Sequence, residues 1–264
     1  MNKQQTISKP VSLKGVGIHS GNEVNLTFKP ANEDFGYAFC RTDLPGNPII
    51  EADVNYVVST ERGTTLEKNG VNIQTSEHVL AALTGLEIDN VLIEIDASEP
   101  PIMDGSSKFF VEALIDAGIE EQSKDRNEYV VKEIISYHDE ESGSDITVLP
   151  ADSYEVTAMV DFGTKILGTQ NATMKNLNEF KDNFSNARTF SFLHEIEMLV
   201  DNGLIKGGDL NNAIVYVDKE LDEETMSKLK KAFNKDKISV KPNGILDNLT
   251  LHYPNEAARH KLLD

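Results

Sequence analysis

Cysteine, basic residues and long apolar runs are all scarce in this chain of 264 residues. A single cysteine, Cys40, excludes an intrachain disulfide framework and a cysteine-based zinc cluster, and it is typical of a reducing compartment. Lys and Arg total 25 against 44 Asp and Glu, and the net charge of −19 repels nucleic-acid phosphates and anionic membrane surfaces. No stretch approaches the ~18 apolar residues of a membrane span, and the N-terminus lacks the apolar run of a signal peptide. We therefore expect a cytoplasmic protein without nucleic-acid partners or an integral membrane segment.

The size and composition fit one large domain or two modest ones. Hydrophobic residues make up 39% of the chain and charged residues 26%, as in an ordinary globular protein. Apolar periodicity lapses in the polar run at 122–128 and then resumes, which marks a candidate boundary. We expect an N-terminal α+β domain at 1–124, with Glu77 and His78, and a C-terminal α+β domain at 125–264, with His260 and Asp264.

Two kinds of apolar spacing alternate along both halves. Residues 69 and 70, Asn-Gly, are typical of a type I′ turn between two short strands. Period-two alternation predicts strands at 23–30, 63–67, 71–75, 90–96, 129–135, 144–149, 154–161 and 213–217. Helical spacing and capping residues predict helices that begin at Thr75 or Ser76, at Asp104 or Ser106, at Phe192, at Asp222 and at Pro254-Asn255. The pattern predicts two similar α+β halves.

Two of the six histidines lie beside carboxylates in a pattern typical of a metal site. His260 and Asp264 are four apart on a predicted helix, so their side chains share nearly one face. With His78 they form a two-histidine, one-carboxylate ligand set. Glu77 supplies a spare acid in a first helical turn, where the helix dipole favours an ionised carboxylate that could take a proton from bound water. The spacing predicts a hydrolytic metal centre.

Simpler interpretations exist for the same residues. A Glu-His pair is often a solvated first turn, and His and Asp at i,i+4 often stabilise an exposed helix. Nitrogen and oxygen ligands also leave zinc, iron or manganese open, and the same ligand types build non-haem iron oxygenase sites.

Further candidates lie in glycine-rich and aromatic segments. His19, between Gly15 and Gly21, is either a surface residue on a tight turn or a substrate contact. In the segment at 187–192, Thr189 could donate to an oxyanion and the rings of Phe190 and Phe192 could contact a sugar or fill the core. Gly208, in a Gly-Gly pair, forms a turn or lets backbone approach a ligand. We expect the other histidines, His138, His194 and His252, at the surface.

Eight segments, in order, resemble one family along nearly the whole chain. They are GVGIHSG, RTDLPG, TSEHVLAALTGLEIDN, PIMDGSS, DAGI, ARTFSF, GLIKGG and RHKLLD. The family is UDP-3-O-acyl-N-acetylglucosamine deacetylase, the zinc hydrolase of lipid A biosynthesis. The resemblance implies a cytoplasmic zinc amidase that removes acetate from the 2-amino group of a UDP-linked, 3-O-acylated glucosamine. It also implies two similar α+β domains, each a small sheet with helices, with the helices packed between the two sheets and the site at the domain interface.

The resemblance assigns roles to individual residues. It implies that His78, His260 and Asp264 bind zinc and that Glu77 is the general base. Three more positions match family residues, with Thr189 at the oxyanion, Phe190 near the glucosamine and Lys261 at the diphosphate. The glycine-rich turn after Gly203 matches the insert that forms a hydrophobic passage for the acyl chain.

The implied mechanism also involves a residue that this sequence does not contain. Zinc with three protein ligands lowers the pKa of its water to roughly 7 and polarises the amide carbonyl. In the family, a histidine in a Lys-Ser-Gly-His-like segment beyond the last zinc ligand then protonates the departing amine. We therefore expect the sequence to be C-terminally truncated and the 264-residue chain to be weakly active or inactive. Some relatives carry a fused acyl-carrier-protein dehydratase domain, which would follow the deacetylase as a partner domain.

Two alternatives to a zinc deacetylase stay open from the sequence. One is a non-haem iron enzyme with the same ligands, and Fe2+ is in any case compatible with them. The other is a non-catalytic module that binds a UDP-sugar or an acylated nucleotide.

Overall fold

Short strands and short helices make up the regular structure. The computed structural model describes residues 2–201, 206–219, 221–233, 236–246 and 249–264. The strands in these ranges are β1 (Lys3–Ile7), β2 (Val11–Val16), β3 (Glu23–Pro30), β4 (Tyr37–Arg41), β5 (Ile49–Glu51), β6 (Val57–Ser59), β7 (Thr65–Lys68), β8 (Val71–Ile73), β9 (Val91–Ile95), β10 (Ile119–Asp125), β11 (Ile135–Asp139), β12 (Ser144–Val148), β13 (Val156–Asp161), β14 (Thr169–Met174), β15 (Phe190–Phe192) and β16 (Ile214–Tyr216). The α-helices are α1 (Glu77–Gly85), α2 (Lys108–Ala117), α3 (Phe180–Asn183), α4 (Leu193–Asp201), α5 (Glu223–Ala232) and α6 (Glu256–Leu263).

A five-stranded sheet of order β2-β3-β9-β4-β5 carries much of the core. Strands β4 and β9 run parallel, and the other neighbours are antiparallel. Val91, Ile93 and Ile95 of β9 all lie on the buried face, as their alternation predicts. The predicted Asn-Gly hairpin is also present, because β7 pairs with β8 through Asn69 (φ 55°) and Gly70 (φ 77°).

The helices lie between two sets of strands. α1 packs on α2 and α6, α2 packs on β2, and α6 packs on the β13-β14 pair. One apolar core runs from Phe28 on β3 through Phe110 on α2 to Met174 on β14 and Leu263 on α6. An amphipathic helix must bury its apolar stripe, and here the same helices do so against strands from both halves. The predicted α+β fold, with helices between the sheets, is therefore confirmed.

A smaller βαβ unit lies between α3 and α6 in the sequence. β15 and β16 pair in parallel, with α4 between them in the chain, and α4 packs on α5. Its core includes Leu193, Ile196, Val215 and Leu229. Gly203, where the predicted acyl-chain insert begins, lies outside the described residues.

The region around the predicted domain boundary differs from the sequence prediction. Residues 119–125 form β10, which pairs with β1 near the N-terminus. The strand predicted at 129–135 is wrong, because β11 begins at Ile135 and Tyr129 is 86% exposed. Alternating apolar residues favour a strand only where a partner strand pairs with them, and none among the described residues pairs with 129–134. The division at 124 and 125 stays a prediction.

The described helices are also too short and too polar to cross a lipid bilayer.

Candidate metal centre

One cavity of about 450 Å³ brings together every residue that the sequence proposes for the site. Its walls come from the β2-β3 connection, the loop before β7, the start of α1, the βαβ unit and the end of α6. The proposed residues that line it are His19, Glu77, His78, Thr189, Phe190, Phe192, Gly208, His260, Lys261 and Asp264.

Three of these side chains converge as a metal site would require. The ligand atoms of His78, His260 and Asp264 lie within 4.8 Å of one another. Oδ1 of Asp264 is 3.7 Å from Nε2 of His78 and 3.4 Å from Nε2 of His260. The two imidazole rings meet edge to face, with centroids 5.0 Å apart. Two nitrogens and one oxygen at this spacing fit a divalent metal ion.

The protonation states suit metal binding. Nδ1 of His260 lies 3.0 Å from the Ala187 carbonyl oxygen, so Nδ1 carries the proton and donates it. This tautomer leaves Nε2 with a free lone pair facing Asp264. Burial, followed by the neighbouring His260, lowers the pKa of His78, which is therefore neutral at pH 7.

Asp264 uses its two oxygens differently. Oδ1 faces the histidines, whereas Oδ2 accepts a hydrogen bond of 2.8 Å from Nζ of Lys261. Burial opposes ionisation of this carboxyl, but His260, Lys261 and His78 outweigh it, so its pKa lies below the ordinary value. The carboxylate is thus ionised, as a metal ligand must be.

Glu77 lies beside the ligands at the first turn of α1. Its Oε2 accepts a hydrogen bond of 2.9 Å from the backbone N–H of Thr64. Burial raises the pKa of the Glu77 carboxyl, although His78 and the Thr64 N–H act in the opposite direction. A carboxylate whose pKa is raised toward neutrality is a stronger base toward water.

The loop at 102–107 connects the α1 side of the site to the βαβ unit. The hydroxyl of Ser107 donates to the His78 carbonyl oxygen at 2.7 Å, and the Gly105 carbonyl accepts from the Thr189 N–H at 2.7 Å. Gly105 has φ 86°, and a Cβ there would lie 2.0 Å from the carbonyl oxygen of Asn212. Sequence reasoning missed both Gly105 and Ser107, although the segment PIMDGSS contains them.

A buried ion pair anchors the start of α6. Nε of Arg188 is 2.8 Å from Oε1 of Glu256, and their side chains are 6% and 0% exposed. Arg188 also donates to the Thr250 carbonyl at 2.7 Å, and Glu256 accepts from the His252 N–H at 2.6 Å. Glu256 lies one turn before His260, so the pair fixes the helix that presents two ligands. The sequence offered no signal for Glu256 beyond its place in a first helical turn.

The aromatic and glycine candidates border the ligands. The ring of Phe190 is 6.4 Å from that of His260, and Nζ of Lys261 lies 5.8 Å from the Phe190 centroid. Phe192 is 5% exposed and belongs to a small apolar core, as one of the two roles considered for its ring requires, and its contact with a sugar stays a prediction. His19 is half-buried on the predicted turn.

The three histidines expected at the surface, His138, His194 and His252, are exposed.

Comparison with known proteins agrees with this geometry. A family model described as "LpxC: UDP-3-O-acyl N-acetylglycosamine deacetylase" matches residues 4–239. A protein of Chlorobaculum tepidum named "Bifunctional enzyme LpxC/FabZ" is 47% identical over 264 residues, which are 99% of this chain and 56% of that protein. The protein of the same name from Bacteroides thetaiotaomicron is 42% identical over 100% of this chain and 57% of its own length. The "UDP-3-O-acyl-N-acetylglucosamine deacetylase" of Geotalea uraniireducens is 38% identical over 99% of this chain and 77% of its own.

The chain spans somewhat more than half the length of the bifunctional relatives and about three quarters of the deacetylase from Geotalea uraniireducens. The family model ends before α6, but the alignment with the Bacteroides thetaiotaomicron protein covers the whole chain, including the segment with His260 and Asp264. On this match, the chain belongs to the LpxC family of UDP-3-O-acyl N-acetylglycosamine deacetylases.

Proposed function

We propose that this chain is a metal-dependent amidohydrolase that removes the N-acetyl group from UDP-3-O-acyl-N-acetylglucosamine in lipid A biosynthesis. The observation that carries the proposal is the convergence of His78, His260 and Asp264 in one cavity, with Glu77 beside them. The names of the relatives supply the substrate and the reaction.

Zinc is the metal that we propose for the three ligands, with ferrous iron as the alternative for the same ligand types. Such a metal ion supplies Lewis-acid chemistry at an amide carbonyl. The neutral His78 and the ionised Asp264 are in the protonation states that a divalent ion needs.

Two protein groups near the proposed ligands supply the general base and the oxyanion donor. Glu77 takes the proton of the attacking water, because its raised pKa makes it a better base, and its protonated carboxyl then returns that proton to the departing amine nitrogen. The hydroxyl of Thr189 donates to the oxygen that becomes negative as the amide carbon turns tetrahedral. The Thr189 N–H donates to the Gly105 carbonyl oxygen at 2.7 Å, which holds the backbone of Thr189 at the cavity.

The cavity has polar and apolar parts that suit the two ends of this substrate. Lys261 is a cation at the site, and we assign the diphosphate to it and the glucosamine ring to Phe190. In the structure, Nζ of Lys261 bonds Asp264, so diphosphate binding would share or replace that contact. The apolar residues of the wall suit the acyl chain, and they include Ile18, Ile196, Leu210, Val215 and Phe233.

Acetate release from UDP-3-O-acyl-N-acetylglucosamine tests the proposal. The zinc-loaded chain should release acetate, Glu77→Gln should lower the rate by roughly 10²-fold or more, and chelation should abolish it. Glu112→Gln is the matched control, because Glu112 is an exposed carboxylate on α2 that pairs with Lys108. Substrate binding without any zinc-dependent acetate release, even in a form extended to the length of the deacetylase relatives, would contradict the proposal and favour a non-catalytic binding module.

A further inference from the structure

Glu99 is a buried carboxylate in the connection between β9 and α2. Its side chain belongs to a residue only 1% exposed. Three donors surround it, since Oε1 accepts from the N–H of His19 at 3.1 Å, Oε2 accepts from the N–H of Ser20 at 3.0 Å, and the Thr75 hydroxyl lies 3.3 Å from Oε1. A buried carboxylate is stabilised only when such donors satisfy it, so these contacts are a fixed part of the fold.

Two of the donors are consecutive backbone N–H groups of the loop that joins β2 to β3. Consecutive N–H groups that point the same way form an anion-binding concavity, and here the anion is a side chain of the protein itself. Gly17 opens the loop, and a Cβ at that position would lie 2.4 Å from Oε2 of Glu99. The absence of a side chain at Gly17 therefore lets the carboxylate reach the backbone of the loop.

The loop that Glu99 holds forms one wall of the cavity. Ile18 and His19 both line the cavity. On its other side the loop touches the Gly-Gly segment, because the Gly207 N–H donates to the Ile18 carbonyl at 3.0 Å. A Cβ at Gly207 would lie 2.0 Å from the Gly17 carbonyl oxygen. Because the backbones touch, a displacement of the loop would also displace Gly208, which lines the cavity.

The third donor ties Glu99 to the start of α1. Thr75 is 8% exposed and has φ 51°, a conformation that strains a β-branched residue. Such strain persists only where surrounding contacts enforce it, and the hydrogen bond to Glu99 is one of these contacts. Thr75 lies two residues before Glu77 in the chain.

We propose that Glu99 is a positioning residue. It fixes the loop between β2 and β3, which contains His19, relative to the start of α1. It contacts neither the proposed ligands nor the proposed base, and it acts through His19 on substrate binding and through Thr75 on Glu77. The proposal rests on the proposed function, because the reaction it serves is the deacetylation assigned to the cavity.

Amide hydrogen exchange tests, without any assay of activity, whether Glu99 protects the N–H groups of His19 and Ser20. Glu99→Gln keeps the shape of the side chain but replaces one acceptor oxygen by an NH₂ group, which cannot accept from an N–H. In the zinc-loaded chain, exchange in the peptide that contains His19 and Ser20 should speed up by about tenfold or more. Glu94→Gln is the matched control, because Glu94 lies on β9 and pairs with Lys29 at 2.7 Å; it should leave that peptide unchanged.

A double-mutant cycle then tests whether Glu99 acts through His19. Glu99→Gln should raise KM by about tenfold in the parent chain and by little in a His19→Ala background, because the residue through which it acts is already gone. Thr75→Val removes the hydroxyl alone and should lower kcat several-fold with KM nearly unchanged. Bound zinc should stay the same in all of these variants, since they leave the three ligands intact.

The outcomes separate this proposal from the proposed function. Unchanged exchange in Glu99→Gln, or additive effects of Glu99→Gln and His19→Ala on KM, would overturn the role of Glu99. No acetate release by the unsubstituted chain, or by a form extended to the length of the deacetylase relatives, would instead overturn the proposed function, while the exchange result still decides whether Glu99 holds the loop. If Glu99→Gln does not fold, Gly17→Ala tests the same contact by another route, because its Cβ would lie 2.4 Å from Oε2 of Glu99 and 2.5 Å from Oγ of Ser20 and would displace both.

Discussion

The two helices that carry the proposed metal ligands are held in place by different kinds of interaction. The first turn of α1 is held by neutral donors, the Thr64 N–H on Glu77 and the Ser107 hydroxyl on the His78 carbonyl. The first turn of α6 is held by the buried ion pair between Arg188 and Glu256. The proposed base therefore lies on the side fixed by hydrogen bonds from loops, and two of the three proposed ligands lie on the side fixed by charge.

The difference predicts separate effects on stability and on turnover. A neutral hydrogen bond contributes about 1 kcal/mol, whereas removing one partner of a buried ion pair costs roughly 3–5 kcal/mol. Changes on the α6 side should therefore lower the free energy of unfolding. Changes on the α1 side should act mainly on metal affinity and rate.

Removal of a proposed ligand should have the largest effect. The effect should be the same whether the ligand lies on α1 or at the end of α6, because we propose that both helices contribute ligands to the same ion. We expect about one zinc per chain, and loss of that zinc in both His78→Ala and Asp264→Asn, since a site left with two protein ligands binds zinc weakly. Metal analysis after gel filtration measures this. His138→Ala is the control, because His138 is an exposed histidine that pairs with Asp145 in the β11-β12 hairpin. Full zinc content in either ligand variant would show that the assignment is wrong.

Arg188→Met should have the next largest effect, and it should act on stability. It leaves the Glu256 carboxylate buried without its partner, so the free energy of unfolding should fall by roughly 3–5 kcal/mol. Replacing both residues, as Arg188→Met with Glu256→Leu, removes the unpaired charge and should restore much of the loss. Urea unfolding of the three proteins measures the difference. A double variant no more stable than Arg188→Met would show that the loss does not come from the unpaired charge of Glu256, and that other contacts of the pair stabilise the fold.

The sequence predicts the residues of the site better than the residues that hold them in position. The ligands, Glu77 and Thr189 follow from residue type and from ordered segments that resemble the family, and the structure places all of them in one cavity. The residues that hold them in position could not be predicted from residue type or from these segments. Glu256 pairs with Arg188 across 68 positions of sequence, and such a contact has no local pattern.

The fold shows the same limit. Strand β9 could be predicted from its alternating apolar residues, because every second residue is apolar and those same residues are buried. The segment at 129–134 has similar apolar residues, but strand formation depends on a partner strand, which local sequence does not specify. The contact of β1 with β10 likewise joins residues more than a hundred positions apart.

Gly105→Ala should have a smaller effect on stability than Arg188→Met but a large effect on turnover. The new Cβ would lie 2.0 Å from the Asn212 carbonyl oxygen, so the loop must shift and carry with it the carbonyl that binds the Thr189 N–H. We expect kcat to fall by at least tenfold with zinc retained. Gly46→Ala separates sterics from backbone strain, because Gly46 has a similar φ of 80° and no atom within 4 Å of a Cβ. Equal losses in the two variants would assign the effect to strain alone.

Ser107→Ala should give the smallest effect, and it tests the α1 side most directly. The variant removes one buried hydrogen bond to the His78 carbonyl, worth about 1 kcal/mol, and leaves both imidazoles intact. If that bond orients the first turn of α1, zinc affinity should weaken by roughly fivefold, which is the same free energy expressed as binding. Competition with a zinc chelator measures the change. Ser106→Ala is the control, because Ser106 is equally buried but donates to Asp104 instead. Weaker zinc binding in Ser107→Ala alone would show that a neutral hydrogen bond from a loop tunes the metal site, whereas equal affinity in both would mean that packing by itself positions α1.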